Sequence, residues 1–374
     1  MDCMQAITRQ GEKLSFFDCT AESLAAQFET WGWPAYRARQ VLQWVYGRLV
    51  ADATKMTNLS LPDRRILAER VALGTAQVQA AQASADGTLK LLLGWPDGSL
   101  AETVMIPEGD RFTACVSSQV GCPVGCRFCA SGLDGLQGNL TAGQIVEQVF
   151  ALNVELAKRG GRITHVVFMG MGEPLANYAA VMAAVRTMHD PRAMGLGARR
   201  FTISTVGVPS RIRDLAGEGL PLNLAISLHA PDEALRRELI PWARHFPLGE
   251  VMDAARHYFQ VTGREVTLEY ILLAGVNDRP EHARKLAELC RGLRANVNLI
   301  RYNPVPGLAF RRPAAAEAQR FQRALRERGI NAHLRRSRGQ DIDAACGQLR
   351  RRQQAVAPAV VTVGASAAPG PGGS

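Results

Sequence analysis

From about residue 112 onward the chain alternates between two patterns of apolar and polar positions. Short apolar runs rich in β-branched residues occur at 112–116, 165–169, 200–206, 222–229, 265–273 and 296–302, and such runs predict strands. Helical periodicity fills the gaps. The clearest helix opens at Thr141 and Gln144, which form a capping box, with Leu140 and Ile145 placed as a hydrophobic staple. Ile145, Val149, Leu152 and Leu156 then share one face. Another helix begins at Asp278-Arg279-Pro280 and is predicted to run to about Leu293. Six strands alternating with helices predict a parallel sheet covered by helices.

The flanks follow other patterns. Residues 1–75 read as a small helical accessory domain holding Trp31, Trp33 and Trp44 beside Arg37 and Arg39. That domain is either a packing appendage or an RNA-contacting module. Residues 76–110 alternate, with turns at Asp86-Gly87 and Pro96-Asp97-Gly98, and predict a β-hairpin connector. Residues 111–350 form the core, and the Ala, Pro, Gly and Ser of 351–374 read as a disordered tail.

Composition adds limits. The 374 residues are 47% hydrophobic and 21% charged, an ordinary globular balance. No apolar run approaches the roughly 18 residues that span a membrane, and Met1-Asp2-Cys3 does not open a secretory signal. The expectation is a soluble cytoplasmic protein. The formal charge is +10, carried by 39 Arg and 5 Lys. That suits a nucleic-acid partner, although a general bias toward Arg gives the same number. The arginine pairs and runs at 199–200, 311–312, 335–336 and 350–352 are candidate phosphate contacts, with ordinary solvation of helix surfaces accounting for about half of them.

The eight cysteines are unevenly placed, and in a reducing compartment they point to metal or redox chemistry. Cys122, Cys126 and Cys129 have the spacing C-x3-C-x2-C. Three thiolates from one loop leave a zinc ion one ligand short, whereas a [4Fe–4S] cube held by three keeps one iron open. A zinc site completed by Cys115 or a distant His, and three unconnected structural cysteines, are the alternatives. Gly121 and Gly125 let the backbone fold tightly around a bulky group, and Phe128 is placed to shield it. Cys290 shares a helix face with Leu286 and Leu293 and reads as a buried hydrophobe. Cys3 and Cys19 are read the same way.

The cysteine spacing resembles the motif of the radical S-adenosylmethionine (SAM) superfamily. The resemblance implies an open (β/α)6 partial TIM barrel with the site at the C-terminal ends of its strands. Gly170–Pro174, Ser204, Ser227, His229 and Asn303 gather there. The segments CVSSQVGC, VVFMGMGEPL, ISTVGVP, AISLHAPDE, VNLIRYNPVPG and RGQDIDAACGQL, spread over roughly residues 20–350, together resemble the RlmN family of RNA adenine-C2 methyltransferases.

The resemblance implies a mechanism and assigns residues to it. Cys122, Cys126 and Cys129 hold the cluster. Gly172, Glu173, Ser204, Ser227, Leu228, His229 and Asn303 bind SAM, of which two are used per turnover. Cys346 is methylated by one SAM; a radical from the second removes a hydrogen atom from that methyl group, and the carbon adds to adenine C2. Glu102 accepts the C2 proton. Cys115 then attacks Cys346 to release the product, leaving a disulfide, so the two thiols are expected to face each other. The implied substrates are 23S rRNA near the peptidyl-transferase centre and the adenosine 3′ of the anticodon in tRNA. A monomer served by an electron donor such as flavodoxin is also implied. The sibling family that methylates adenine C8 is the nearest alternative, and a non-enzymatic metal-containing RNA-binding protein is the alternative of another class. Arg301 and Trp242 depart from the expected motifs, the first standing where Pro is expected and the second where Met is.

Overall fold

The structure, a computed structural model, describes residues 13–335 and 348–350. Its framework is a single sheet of ten strands: β1 (Gln77–Ala83), β2 (Leu89–Gly94), β3 (Leu100–Glu108), β4 (Arg111–Cys115), β5 (His165–Phe168), β6 (Phe201–Thr205), β7 (Asn223–Ser227), β8 (Val266–Leu272), β9 (Ala295–Arg301) and β10 (Asn331–Leu334). Their order across the sheet is their order in the chain. Pairing is antiparallel from β1 to β4 and parallel from β4 to β10. The six predicted core strands are therefore present as β4–β9, parallel and in the predicted order.

Two features lie beyond the hydrophobic pattern. The predicted hairpins are not a separate layer, because β3 pairs with β4 from Val104↔Cys115 to Glu108↔Arg111 and extends the same sheet. A seventh parallel strand, β10, closes the far edge. Its sequence, Asn-Ala-His-Leu, is too short and polar to announce a strand.

Ten helices accompany the sheet among the described residues: α1 (Ala21–Thr30), α2 (Tyr36–Leu42), α3 (Leu61–Arg70), α4 (Ala142–Ala157), α5 (Tyr178–His189), α6 (Pro209–Ala216), α7 (Glu233–Leu239), α8 (Leu248–Thr262), α9 (Pro280–Leu289) and α10 (Ala315–Arg326). None is long and apolar enough to cross a membrane. Helix α4 starts as its sequence requires. Thr141 Oγ1 accepts from Gln144 N at 3.1 Å, and Gln144 Oε1 accepts from Thr141 N at 2.9 Å. Leu140 and the Ile145–Val149–Leu152–Leu156 stripe are buried in the main core. Helix α9 stops at Leu289, short of the predicted Leu293, because Cys290 caps it and Gly292 takes a φ of +73°. Cys290 is buried with Leu286 and Leu293 in the core.

The N-terminal helices α1–α3 join a two-residue parallel pair, Leu14–Ser15 with Val71–Ala72. Trp33 and Trp44 are buried, and Trp33 packs edge-on against Phe28 with ring centroids 4.9 Å apart. These tryptophans hold the module together rather than offering stacking faces to solvent. The module is fastened to α4. Asp18 Oδ1 accepts from Gly143 N at 2.6 Å, at the helix end where a negative charge is favoured. Glu147, on the same helix and 4% exposed, accepts from Thr75 N at 2.5 Å, Ala76 N at 3.2 Å and Trp95 Nε1 at 2.6 Å. One carboxylate thereby ties the exit of the module and the end of β2 to α4.

Removing that carboxylate strands several buried donors. Glu147→Ala is expected to cost roughly 2–4 kcal/mol of unfolding free energy, read as a lowered urea midpoint. A loss below about 1 kcal/mol would show that water takes over its role.

Candidate active site

The parallel strands β4–β9 deliver their C-terminal ends to one side of the sheet. A short antiparallel pair follows β4, residues 119–121 with 136–139, and the three-cysteine loop lies between its arms. Gly121 permits the turn. Its φ is +76°, and a Cβ there would lie 2.0 Å from the Gly135 carbonyl oxygen, an impossible contact for any other residue. Cys122 N donates to that same carbonyl at 3.0 Å. Gly125 also has a positive φ, +65°, but in open space.

The loop after β5 packs directly on this segment. Ser118 N and Gln119 N donate to Met171 O at 2.9 and 3.2 Å, and Gly170 N donates to Val116 O at 3.0 Å. Glu173 N donates to Gln119 Oε1 at 2.8 Å. A Cβ on Gly172, whose φ is +102°, would meet Ser118 Oγ and Gln119 Cβ at 2.7 Å. The glycines of GMGEP are therefore required by backbone contact.

A cavity of about 320 Å³ opens at these strand ends. Cys122, Cys126, Cys129, Gly172, Glu173, Ser204, Ser227, His229 and Asn303 all line it. Leu228 does not: it is fully buried, with its side chain in the main core, because successive residues at a strand end face opposite sides. Phe128 lies edge-on to His229, with ring centroids 5.1 Å apart, and lines the cavity beside the cysteines.

The polar groups are held in defined states. His229 adopts a φ of +58°, strained for a non-glycine residue. Its carbonyl accepts from Asn277 Nδ2 at 2.8 Å, and its Nδ1 accepts from Ile271 N at 3.1 Å. Burial, helped by the charge of Arg236, lowers its pKa to about 3. The ring is therefore neutral, and since Nδ1 accepts, the proton sits on Nε2. Glu173 accepts from Leu175 N at 3.0 Å and Val206 N at 2.8 Å, while burial raises its pKa to about 7. Ser204 Oγ and Ser227 Oγ lie 3.4 Å apart.

The cysteine loop fits an iron–sulfur cluster. Burial pushes the Cys122 thiol up to about 12, against backbone N–H bonds from Val124 and Gly172. Burial also raises Cys126, followed by the charges of Cys129 and Cys122. These sulfurs are close enough to repel one another as thiolates, so a bound cation is needed to draw off their protons. Among the described residues no three His, Cys, Asp or Glu converge closely enough to ligate a single metal ion. A cubane does not ask for that, because its thiolates take separate irons. The amides aimed at Cys122 match the hydrogen bonds that stabilise cluster sulfurs.

Glu102 and Cys115 stand outside this cavity but beside each other's strands. Cys115 ends β4 and is buried; its carbonyl accepts from Thr103 Oγ1 at 3.1 Å. Glu102, one residue before Thr103 in β3, is 3% exposed and so is not the surface side chain its hairpin setting suggests. Its Oε2 pairs with Lys90 Nζ at 2.9 Å, and its Oε1 accepts from Arg350 N at 2.8 Å. Cys346, Cys3, Arg336, Arg351, Arg352 and the tail lie outside the described residues.

The candidate arginines differ in where the structure places them. Arg199 and Arg200 are exposed but precede β6, at the sheet end away from the cavity. Arg350 is 2% exposed, a buried side chain rather than a phosphate contact. Arg301 and Arg335 line the cavity, and Arg311 is exposed. Trp242 packs on Phe246 beside the cysteine loop. Sequence reading missed Glu269, which is buried in the cavity wall and accepts from Asn298 Nδ2 at 2.9 Å. Burial raises its pKa to about 7. The signal was a lone charge within the apolar run Val266–Leu272.

Comparison with known proteins agrees with this architecture. Residues 116–287 match the Radical SAM superfamily, and residues 14–73 match the Ribosomal RNA large subunit methyltransferase N-terminal domain. A probable dual-specificity RNA methyltransferase RlmN of Thermosynechococcus vestitus is 47% identical over 334 residues, 89% of this chain and 97% of the relative. The corresponding protein of Symbiobacterium thermophilum is 48% identical over 335 residues, 89% of this chain and 90% of the relative. The crystal structure of a radical SAM methyltransferase from Sphaerobacter thermophilus superposes with a TM-score of 0.87 at 46% identity, covering 90% of this chain and 98% of that one. With both domains matched and relatives spanned nearly end to end, this chain belongs to the RlmN family of radical SAM RNA methyltransferases.

Proposed function

We propose that the protein methylates C2 of adenine in 23S rRNA and in tRNA, using Cys346 as the methyl carrier. The observation that carries this reading is the hydrogen bond from Arg350 N to Glu102 Oε1. It fastens the chain four residues after Cys346 to the strand beside Cys115. Four residues of chain reach at most about 14 Å, a span that suits a reading in which Cys346 and Cys115 act together.

The chemistry of the substrate explains the elaborate site. Adenine C2 lies between two ring nitrogens and is electron-poor, so it is a bad nucleophile toward a methyl donor, whereas a carbon radical can add to it. Cys122, Cys126 and Cys129 would hold the cluster, which together with SAM would supply the one-electron chemistry that activates an S-methyl group for such an addition. Glu173, Ser204, Ser227, Asn303 and the Nε2–H of His229 offer the SAM-facing polar groups, and Phe128 keeps water from the cluster side. Two SAM molecules are used, the first as a plain methyl donor to the Cys346 thiolate.

The remaining steps belong to the protein. The carbon radical on Cys346 bonds to C2, and the unpaired electron left on the ring would return to the cluster oxidised in the preceding step, leaving a closed-shell covalent protein–RNA adduct. Glu102 takes the proton from C2, with Lys90 as its counter-charge. The Cys115 thiolate then attacks the Cys346 sulfur. That forms the S–S bond as the S–C bond breaks, and the released carbon leaves as the methyl group of the product once protonated. An external reductant restores both thiols, and an electron donor of the flavodoxin type reduces the cluster. RNA docks through the arginines around the cavity mouth.

Two outcomes test this reading. In anaerobic assays with SAM, reductant and protein-free rRNA, Cys346→Ala should abolish methylation, and Cys115→Ala should accumulate an RNA–protein adduct visible as a shifted band on a denaturing gel. Methylation by Cys346→Ala would remove the methyl-carrier role. Raising salt from 50 to 200 mM should weaken RNA binding about tenfold or more; an affinity indifferent to salt would contradict the electrostatic docking.

A further inference from the structure

Among the described residues, Arg236 is a buried cation that forms no salt bridge. It sits on α7 at 1% exposure, in a segment whose Glu-Ala-Leu-Arg-Arg-Glu pattern reads as a solvated helix face. The loop that follows α7 covers it. Its guanidinium donates to the Val206 and Phe246 carbonyls, and its Nε has no hydrogen-bond partner. Glu233, one turn earlier on α7, is occupied: its carboxylate takes Arg237 Nε and Leu248 N, both at 2.6 Å. Glu233 still acts on Arg236 through its charge, but burial outweighs it and pulls the guanidinium below its ordinary range; a cation buried in this way costs several kcal/mol unless an anion compensates it more fully.

The missing anion has a place. Leu239, at the end of α7, accepts from Arg127 N at 3.0 Å, inside the three-cysteine loop. Leu239, Ile240 and Ala243 pack with Val124, Phe128 and the three cysteines in one cluster of side chains. The charge of Arg236 is felt at Cys126 and at His229, both of which line the cavity. Arg236 does not line the cavity itself, so it stands behind the cysteine loop rather than against SAM. A cubane with three thiolate ligands is net negative in both of its working oxidation states, and more so when reduced.

We propose that Arg236 is the buried counter-cation of the iron–sulfur cluster, compensating its charge and favouring its reduced state. This rests on the reading of Cys122, Cys126 and Cys129 as cluster ligands. Unloaded, the protein carries an incompletely compensated guanidinium; loaded, it carries a neutralising pair. Arg236 therefore couples cluster binding to the stability of α7 and raises the reduction potential. It acts through the cluster and makes no contact with substrate, so it is a positioning residue of an electrostatic kind. A purely mechanical alternative exists, because Arg236 braces the Val206 carbonyl while Val206 N holds Glu173.

The test uses the full chain, reconstituted anaerobically with iron and sulfide, without SAM or RNA. R236Q keeps an N–H donor but no charge, R236M keeps neither, and R236K keeps the charge. In redox titrations followed by electron paramagnetic resonance, R236Q and R236M should show about a tenfold smaller reduced-to-oxidised ratio at a fixed potential, a negative shift of about 59 mV for one electron. R236K should stay near wild type. Loading should raise Tm less in the neutral variants than in wild type, whereas loss of a brace would lower loaded and chelated Tm equally. Unshifted potentials in R236Q and R236M, or a tenfold change in R236K, would overturn the proposal. If the neutral variants do not fold, R236K alone decides on the same criterion. If wild type takes up no iron and sulfide, the cluster reading itself fails.

Discussion

The backbone of residues 116–121 lies so close to that of residues 170–173 that nothing larger than a hydrogen atom fits between them at Gly170 and Gly172. The rest of the site depends on this contact. One loop carries the cysteines and the other carries Glu173. Amides of each donate to oxygens of the other, at Val116, Met171 and Gln119. Each such bond contributes only about 1 kcal/mol net, but together they leave the two loops a single relative position. A methyl group on Gly172 would push apart the cysteine side of the cavity and the carboxylate side.

The same contact spreads outward through Glu173. That carboxylate accepts from Val206 N, at the end of the next strand, and Val206 O in turn accepts from Arg236. Strands β4, β5 and β6 and helix α7 are thus connected through buried polar groups at one end of the sheet. Glu102 and Cys115, to which the proposed mechanism gives its remaining steps, sit on the antiparallel side. Ser117 Oγ donates to Glu102 O at 2.6 Å and accepts from Met171 N at 2.9 Å. One hydroxyl therefore links the strand of Glu102 to the GMGEP loop. The short stretch from Cys115 to Gln119 joins the end of β4, beside Glu102, to the loops that line the cavity.

Local chemistry was legible in the sequence, and long-range placement was not. The Thr141–Gln144 capping box could be read because every atom it uses lies within four residues. The cysteine triplet could be singled out because its three members stand close together in one short loop of the chain. Gly170, Gly172 and Glu173 were found as a motif, although the crowding that requires glycine arises from residues some fifty positions away. The neighbouring positions of Glu102 and Cys115 follow from the register Val104↔Cys115, which no periodicity encodes. Arg236 and Glu269 escaped for related reasons. A charged pattern on a short helix reads as surface until a later loop folds over it, and a lone Glu in an apolar strand reads as noise until its neighbours turn out to face a cavity. The Leu228 side chain turns into the core instead, since adjacency to two cavity residues does not survive the alternation of a strand.

Methylation at adenine C2 is the proposed outcome to which every residue role above leads. The most direct measurement is mass spectrometry, against authentic standards, of nucleosides from rRNA treated anaerobically with the reconstituted protein, SAM and reductant. The account predicts 2-methyladenosine, absent when SAM is omitted. Finding 8-methyladenosine instead, or no methylated adenosine from protein that holds its iron and sulfide, would contradict it.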